Sequence, residues 1–352
     1  MTSREVDFIV GLLDQGGAAY AGLAVRRLFE RHPGIGVQHG PDAVARWRQH
    51  MVHRIAELAT AVDFESPGLF ARAVRWSRHA LRTRNLPPVE LAGSLDALRD
   101  VLREELPEPC RAPIEPCFEA AFDSVEAAPP ASPSLDPASE RHRLALQYVE
   151  ACLEGNPIRA TGLILAAVAG GLSIHEACHD VLVPALGEVG RLWHEGRMEI
   201  HEEHTVTAVT HRLVGMMAGA AEFGPPNGKT VVAGTVEGDA HDTMLRMLML
   251  EFEMAGWRAI GLGTQLPPAE LADSARDADA DLVVISATLI PQLRSLRQGI
   301  RLVRERSPRS RILVGGPALD DSPGVRAALE ADVIGIESRS VVESGSRLVG
   351  LV

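Results

Sequence analysis

The run Thr230-Val231-Val232-Ala233-Gly234-Thr235, closely followed by Gly238-Asp239-Ala240-His241-Asp242, decides how this chain is read. The apolar run predicts a β-strand, and the second stretch predicts a short loop that opens a helix. Open α/β sheets hold their ligands at the carboxyl ends of such strands, so His241 is presented at a binding edge. Asp239, two residues earlier, can fix the imidazole tautomer and raise its basicity toward a metal. Alone, Asp-x-His on a loop is more often a solvated turn than a metal site.

Two later strand ends change that reading. Asp281-Leu282-Val283-Val284-Ile285 runs into Ser286-Ala287-Thr288-Leu289, and Arg311-Ile312-Leu313-Val314 runs into Gly315-Gly316. These three separated motifs resemble the cobalamin-binding Rossmann-like domain, whose pattern is Asp-x-His-x-x-Gly, then Ser-x-Leu or Ser-x-Thr, then Gly-Gly. The resemblance implies that His241 replaces the cofactor's own benzimidazole as lower axial cobalt ligand. It also implies that Ser286, Thr288, Gly315 and Gly316 line the slot for the displaced nucleotide tail, with glycine permitting close backbone approach. One position departs from the pattern: Met244 stands where the family has glycine, so its side chain must point away from the tail or reshape the slot.

The 352 residues, 46% of them hydrophobic, suffice for two or three domains with their own cores. A run of about 18 apolar residues and the layout of a secretory signal are both missing, so a cytoplasmic protein without membrane contact is expected. Cys110, Cys117, Cys152 and Cys178 show no Cys-x-x-Cys spacing, which indicates neither a zinc ribbon nor a disulfide framework. A net charge of −12 argues against nucleic-acid binding by the chain as a whole.

Residues 1–125 read as helical, with apolar residues at helical spacing from Val6 to Phe29, Val44 to Val62, Leu69 to Leu81 and Leu91 to Leu106. Pro33-Gly34, Ser66-Pro67-Gly68 and Leu86-Pro87-Pro88 punctuate them. The stretch from Phe70 to His79, with Leu86-Pro87-Pro88-Val89-Glu90 after it, resembles the F-to-G region of a globin, and His79 falls where a haem ligand would lie. Arg72, Arg75, Arg78 and Arg82 lie at steps of three and four near one face, a stripe fit for tetrapyrrole propionates, an acidic partner or plain solvent. His50 and His53, one turn apart, read as ordinary surface or core histidines.

Residues 126–139 form a proline-rich linker, which marks a domain boundary. Residues 140–225 predict four helices: Arg141 to Glu154, Pro157 to Ala169, Ile174 to Glu195 and Glu199 to Ala220. A four-helix bundle ahead of a cobalamin-binding domain resembles the cap of methionine synthase and of cobalamin photoreceptors. Trp193, nine residues, then Glu203-His204 matches the Trp-x9-Glu-His pattern of adenosylcobalamin photoreceptors of the CarH type. That resemblance implies that Trp193 packs over the adenosyl group, Glu203 hydrogen-bonds it and His204 helps fix the pocket. It further implies that His194 becomes a cobalt ligand after illumination.

From residue 226 to 352 strands and helices alternate, with strands at Thr230 to Thr235, Arg258 to Gly261, Leu282 to Ser286, Ile312 to Gly315 and Val333 to Ile336. This predicts a flavodoxin-like parallel α/β sheet, so the expected fold is a multi-domain α plus α/β protein: a helical globin-like domain, a four-helix-bundle cap and a cobalamin-binding domain. A cap of this type joined to such a helical domain resembles the photocobilins, which take biliverdin beside cobalamin. The resemblance implies a light sensor whose adenosylcobalamin photolysis drives a conformational signal, with cobalamin and biliverdin as cofactors. Output would pass to an effector protein or through self-association as a homo-oligomer, and no DNA binding is expected because the recognition helix of CarH receptors has no counterpart. The alternatives are a corrinoid methyl carrier of a methyltransferase system and a haem-globin/cobalamin dual sensor with His79 on iron.

Overall fold

Five strands and the helices between them carry the second half of the chain. They are β1 (Thr230–Val236), β2 (Arg258–Leu266), β3 (Leu282–Ser286), β4 (Arg311–Gly315) and β5 (Val333–Ile334), all parallel, in the order β2-β1-β3-β4-β5. The computed structural model describes residues 2–35, 40–83, 88–126, 135–319, 323–335 and 337–351. Most of the expected linker (127–134), residues 84–87 of the Leu86-Pro87-Pro88 punctuation, and Ile336 lie outside the described residues, as does the Arg82 side chain. The chain divides into two compact units, Met1–Pro130 with Asp321–Ala328, and Ala131–Asp320 with Leu329–Val352.

The strand order is flavodoxin-like, as the alternation requires, and it reverses between β1 and β3. Register fixes the consequence: Thr235 pairs with Ser286, and Ser286 with Gly315, so three strand ends stand level at one edge. β2 runs five residues beyond its expected end at Gly261, through Gly263 and Gln265 to Leu266, with shifts of register against β1. Its glycines hide it from apolar periodicity. Between the strands, Val231, Val284 and Leu313 pack with Leu248, Phe252 and Trp257 as the core of this domain.

At the base of the sheet Asp332 accepts from the Ile312 backbone N–H (2.7 Å) and from the Arg304 and Arg311 guanidiniums. Burial pushes its carboxyl up, but these bonds and charges outweigh burial and hold it below the usual carboxylate range. A depressed native pKa gives stability that is present above the unfolded value and lost as pH falls through the folded one. Asp332→Asn should therefore cost stability at pH 7, and the gap to the parent should close in acid. Urea titrations from pH 7 to 3 read this, and a gap independent of pH would remove Asp332 from the acid response.

The bundle before the sheet begins where Ser139 accepts from His142 N–H and caps the helix Glu140–Leu153. Pro157–Ala169 follows, capped by Asn156. The expected third helix is three pieces: Ile174–Glu176, a π-helical stretch Ala177–Leu182, and Val183–His194. Ile200–Ala220 completes the bundle, and Tyr148, Ile164, Leu182, Leu213 and Met217 fill its centre. Tyr148 is fully buried, and its hydroxyl meets Thr210 Oγ1 at 2.8 Å, which satisfies both groups.

The first unit is helical, with Ser3–Arg31, Ala43–Asp63, Pro67–Thr83, Pro88–Glu105 and Glu115–Glu126 as its longer elements. The helix from Arg4 to Arg31 is long and apolar enough to cross a membrane by length and composition, which the expectation of no such run overlooked. Its Leu13, Ala21, Ala24 and Leu28 are nevertheless fully buried, and Arg27 and Arg31 pair with Glu104 and Asp100, the packing of a core helix.

Part of the arginine stripe bonds to the neighbouring helix. Arg75 donates to Ser124 Oγ, and Arg78 Nε donates to the Val125 carbonyl at the end of Glu115–Glu126, where a cation complements the helix dipole. Cys110 and Cys117 are buried, and burial pushes the Cys117 thiol up to about 12, so neither is a ready thioether site. Native protein should alkylate at Cys117 with iodoacetamide on the order of a hundredfold more slowly than unfolded protein. Equal rates, read by mass spectrometry, would contradict this packing.

Candidate functional site: a cavity between the bundle and the strand ends

β1 stops at Val236, and Gly238 (φ 79°) turns the chain, which places Asp239, His241 and the start of the helix Thr243–Met254 at the level edge. The loop is held from both sides. Buried Thr235 donates its hydroxyl to the Asp239 carbonyl and accepts from Gln265 N–H at the end of β2. Asp239 is fully buried, and its Oδ1 accepts from the His241 backbone N–H (3.0 Å) and faces His241 Nδ1 at 2.8 Å.

That contact settles which nitrogen is offered. With Nδ1–H donating to the carboxylate, the Nε2 lone pair faces outward, and His241 is 64% exposed while its partner is sealed. The bond to Asp239 raises the imidazole pKa, burial opposes it, and the charges of Asp239 and of Glu203 on the bundle add to the rise. Asp239 Oδ2 has no hydrogen-bond partner, so this buried carboxylate depends on positive charge at or beyond the imidazole ring.

Over this edge lies a largely apolar cavity of about 900 Å³. The bundle contributes Trp193, Glu203, His204 and Thr207, and the sheet domain contributes His241, Ser286, Thr288, Gly315 and Gly316. Trp193 lies in the last turn of the helix Val183–His194 and is 36% exposed, and Glu203, in the first turn of Ile200–Ala220, accepts from Thr207 Oγ1 at 2.7 Å. Of the ten expected site residues, Asp239 stands behind His241, and His194, half-buried, does not border the cavity. Met244 borders it as well.

The glycines differ in role. At Gly316 (φ 107°) an added Cβ would lie 2.2 Å from the Ala287 carbonyl oxygen, so only glycine fits. At Gly315 a Cβ would meet nothing within 4 Å and would project into open space. That gap leaves room for another group to approach the backbone closely.

Two contributors escaped the sequence. Gln292, buried at the start of the helix after β3, accepts from the Thr288 and Leu289 backbone N–H groups (2.8 and 2.7 Å) and donates to the Gly238 carbonyl (2.8 Å). It ties the serine/threonine loop to the histidine loop. Gln292→Leu should cost about 1–2 kcal/mol in urea unfolding, because it removes three hydrogen bonds between the two loops; a loss under about 0.5 kcal/mol would show the freed backbone groups satisfied by water. His211, which lies outside every motif quoted from the sequence, meets Thr243 Oγ1 at 2.8 Å and joins bundle to sheet domain. Burial, then Arg246, holds its imidazole below the ordinary range, against a smaller opposing effect of Asp242.

The cavity is suited to a large, mostly apolar group with a metal at the imidazole. Residues 229–344 match a family model described as a B12 binding domain, and residues 144–217 match a second with the same description. The chain is a cobalamin-binding protein. A corrinoid protein of Desulfitobacterium hafniense (strain Y51) is 26% identical over 212 residues, 57% of this chain and 95% of that protein. Dimethylamine corrinoid protein 1 of Methanosarcina mazei is 27% identical over 203 residues, 53% of this chain and 89% of that protein. Among solved structures, the monomethylamine corrinoid protein of Methanosarcina barkeri superposes with a TM-score of 0.52 at 14% identity, over 60% of this chain and all of that one, a likeness of fold. The residues of this cavity fit a corrinoid: an outward Nε2, a sealed carboxylate behind it and an open place at Gly315.

Proposed function

We propose that this chain is a corrinoid methyl carrier, a component of a methyltransferase system for small methylated amines. The observation that carries it is the cavity between bundle and sheet with the Asp239–His241 pair at its floor, in a chain similar to corrinoid proteins across both of those domains. A corrinoid held there would supply a cobalt centre able to accept and release a methyl group. His241 would hold that centre through Nε2, and Asp239 would keep Nδ1 protonated so that Nε2 stays a ligand. Ser286, Thr288, Gly315 and Gly316 would receive the nucleotide tail. Trp193, Glu203 and His204 would close the opposite wall and limit which methyl donor reaches the centre.

The test loads the chain with reduced cobalamin and adds dimethylamine with a dimethylamine methyltransferase. Methylated cofactor, read by absorbance, is expected. A cofactor that stays unmethylated while a known carrier is methylated would overturn the reading.

One observation favours a second reading, a light sensor of the CarH or photocobilin type: Trp193, Glu203 and His204 border the cavity together. An adenosyl group would then pack on the indole and hydrogen-bond to Glu203, with His194 reaching cobalt only after illumination. In this reading the N-terminal unit is globin-like and takes biliverdin, or haem through His79. Spectra of the chain with adenosylcobalamin and biliverdin, before and after green and red light, separate the two. A light response above that of free cofactor favours the sensor, and its absence favours the carrier.

A further inference from the structure

Away from the corrinoid cavity's floor, three potential metal ligands converge where the bundle meets the sheet domain. His175 Nδ1 and His179 Nε2 lie 3.1 and 2.9 Å from Glu251 Oε1, and all three donor atoms fall within 4.8 Å of one another. We propose that His175, His179 and Glu251 bind a first-row divalent metal ion of the zinc class, which clamps the bundle to the sheet domain.

The local chain conformation assembles the set. His175 and His179 are one helical turn apart, so both rings fall on one face, with centroids 4.6 Å apart. The π-helical stretch Ala177–Leu182 begins between them, and such stretches concentrate at functional sites. Glu251 comes from the helix Thr243–Met254, which His241 introduces.

The hydrogen-bond geometry suits a cation. The His179 side chain is 2% exposed, and its Nδ1 lies 3.2 Å from Ser338 Oγ. With Nδ1–H donating to that hydroxyl, Nε2 presents a lone pair, and so does the carboxylate oxygen opposite. Nε2 is close to Glu251 yet makes no hydrogen bond, because the oxygen lies off the ring's N–H direction. With two acceptors this close, one of them buried and without a hydrogen bond, a cation between them would satisfy both.

The distances suit a metal. Tetrahedral bonds of about 2.0–2.1 Å set ligand atoms about 3.3 Å apart, so the N···O separations need to open by only a few tenths of an ångström. Two imidazoles and a carboxylate are a zinc donor set, with a fourth position for water. His175, 42% exposed, leaves that position open to solvent. Ser338 supplies the outer-shell contact that metal-bound histidines keep, and Arg339 next to it pairs with Asp180 of the π-helical stretch. Ser338 also borders the corrinoid cavity, so the clamp and the cofactor pocket share a residue.

The test uses the full, untagged chain, stripped with chelator, incubated with zinc chloride and gel-filtered, with bound metal read by mass spectrometry. One zinc per chain and a raised melting temperature are expected. His175→Ala, His179→Ala and Glu251→Gln should each weaken zinc binding about tenfold or more. His241→Ala should leave it unchanged, which excludes zinc held at the corrinoid imidazole. His175 is exposed enough that its replacement should fold if the buried variants fail. A parent chain that retains no zinc, or a His175→Ala chain that binds as the parent does, would overturn the proposal.

Discussion

Replacing His241 with alanine is expected to lower cobalamin affinity about a hundredfold and to change the spectrum of whatever binds. The imidazole is 64% exposed at the cavity, and Asp239 fixes its outward nitrogen, so its loss removes the nitrogen proposed to hold cobalt. Asp239→Asn should cost about tenfold, within the range for groups that orient a metal-bound histidine. Asparagine keeps an acceptor for the His241 backbone N–H but removes the charge that raises the ring's basicity. Bound cofactor should then retain its own benzimidazole on cobalt in the alanine variant and the protein's histidine in the asparagine variant. Absorbance of the aquo- and methyl-loaded proteins distinguishes these forms. A parent-like, histidine-ligated spectrum in the alanine variant would rule His241 out as ligand.

The second large effect is predicted at Gly316. Alanine there would carry its Cβ to 2.2 Å from the Ala287 carbonyl oxygen at a φ of 107°, which L residues rarely adopt. The backbone conformation alone costs about 1–3 kcal/mol, and relief of the clash must break a hydrogen bond as well. The Ala287 carbonyl accepts from Ala318 N–H at 3.1 Å, and that bond closes the turn after β4. A total loss of about 3 kcal/mol or more in urea unfolding is expected.

Gly315→Ala is the matched control. Its Cβ meets nothing within 4 Å, so stability should hold while the methyl group intrudes on the tail slot and weakens cobalamin binding. Equal stability of the two variants would contradict the turn geometry. Unchanged cobalamin binding by Gly315→Ala would move the tail elsewhere.

The outline of the site was legible because strand ends and loops are local. Val231 to Val236, Leu282 to Ser286 and Arg311 to Gly315 are short apolar runs that stop at polar or glycine residues, and parallel register brings those stops to one level. The extension of β2 through Gly263 and Gln265 was not legible, since glycines interrupt the apolar pattern while backbone pairing continues. Gln292 gave no signal either, because its role depends on reaching the Gly238 carbonyl, 54 residues away in sequence. Trp193, Glu203 and His204 border one cavity, and Met244 stands in its wall, a choice that the sequence had left open.

The sequence by itself determined that the second half of the chain is a helical bundle followed by a parallel sheet, and that histidine, serine and a glycine pair sit at the sheet's ligand-bearing edge. Periodicity and turn chemistry are properties of neighbouring residues, and they need no knowledge of the fold. Only the tertiary structure decided that Asp239 is sealed behind His241, that Gly316 is obligatory while Gly315 is open, and that His175 and His179 meet Glu251. Each of these depends on burial or on contacts between residues distant along the chain. Such contacts arise when two faces pack together, and no local pattern records them.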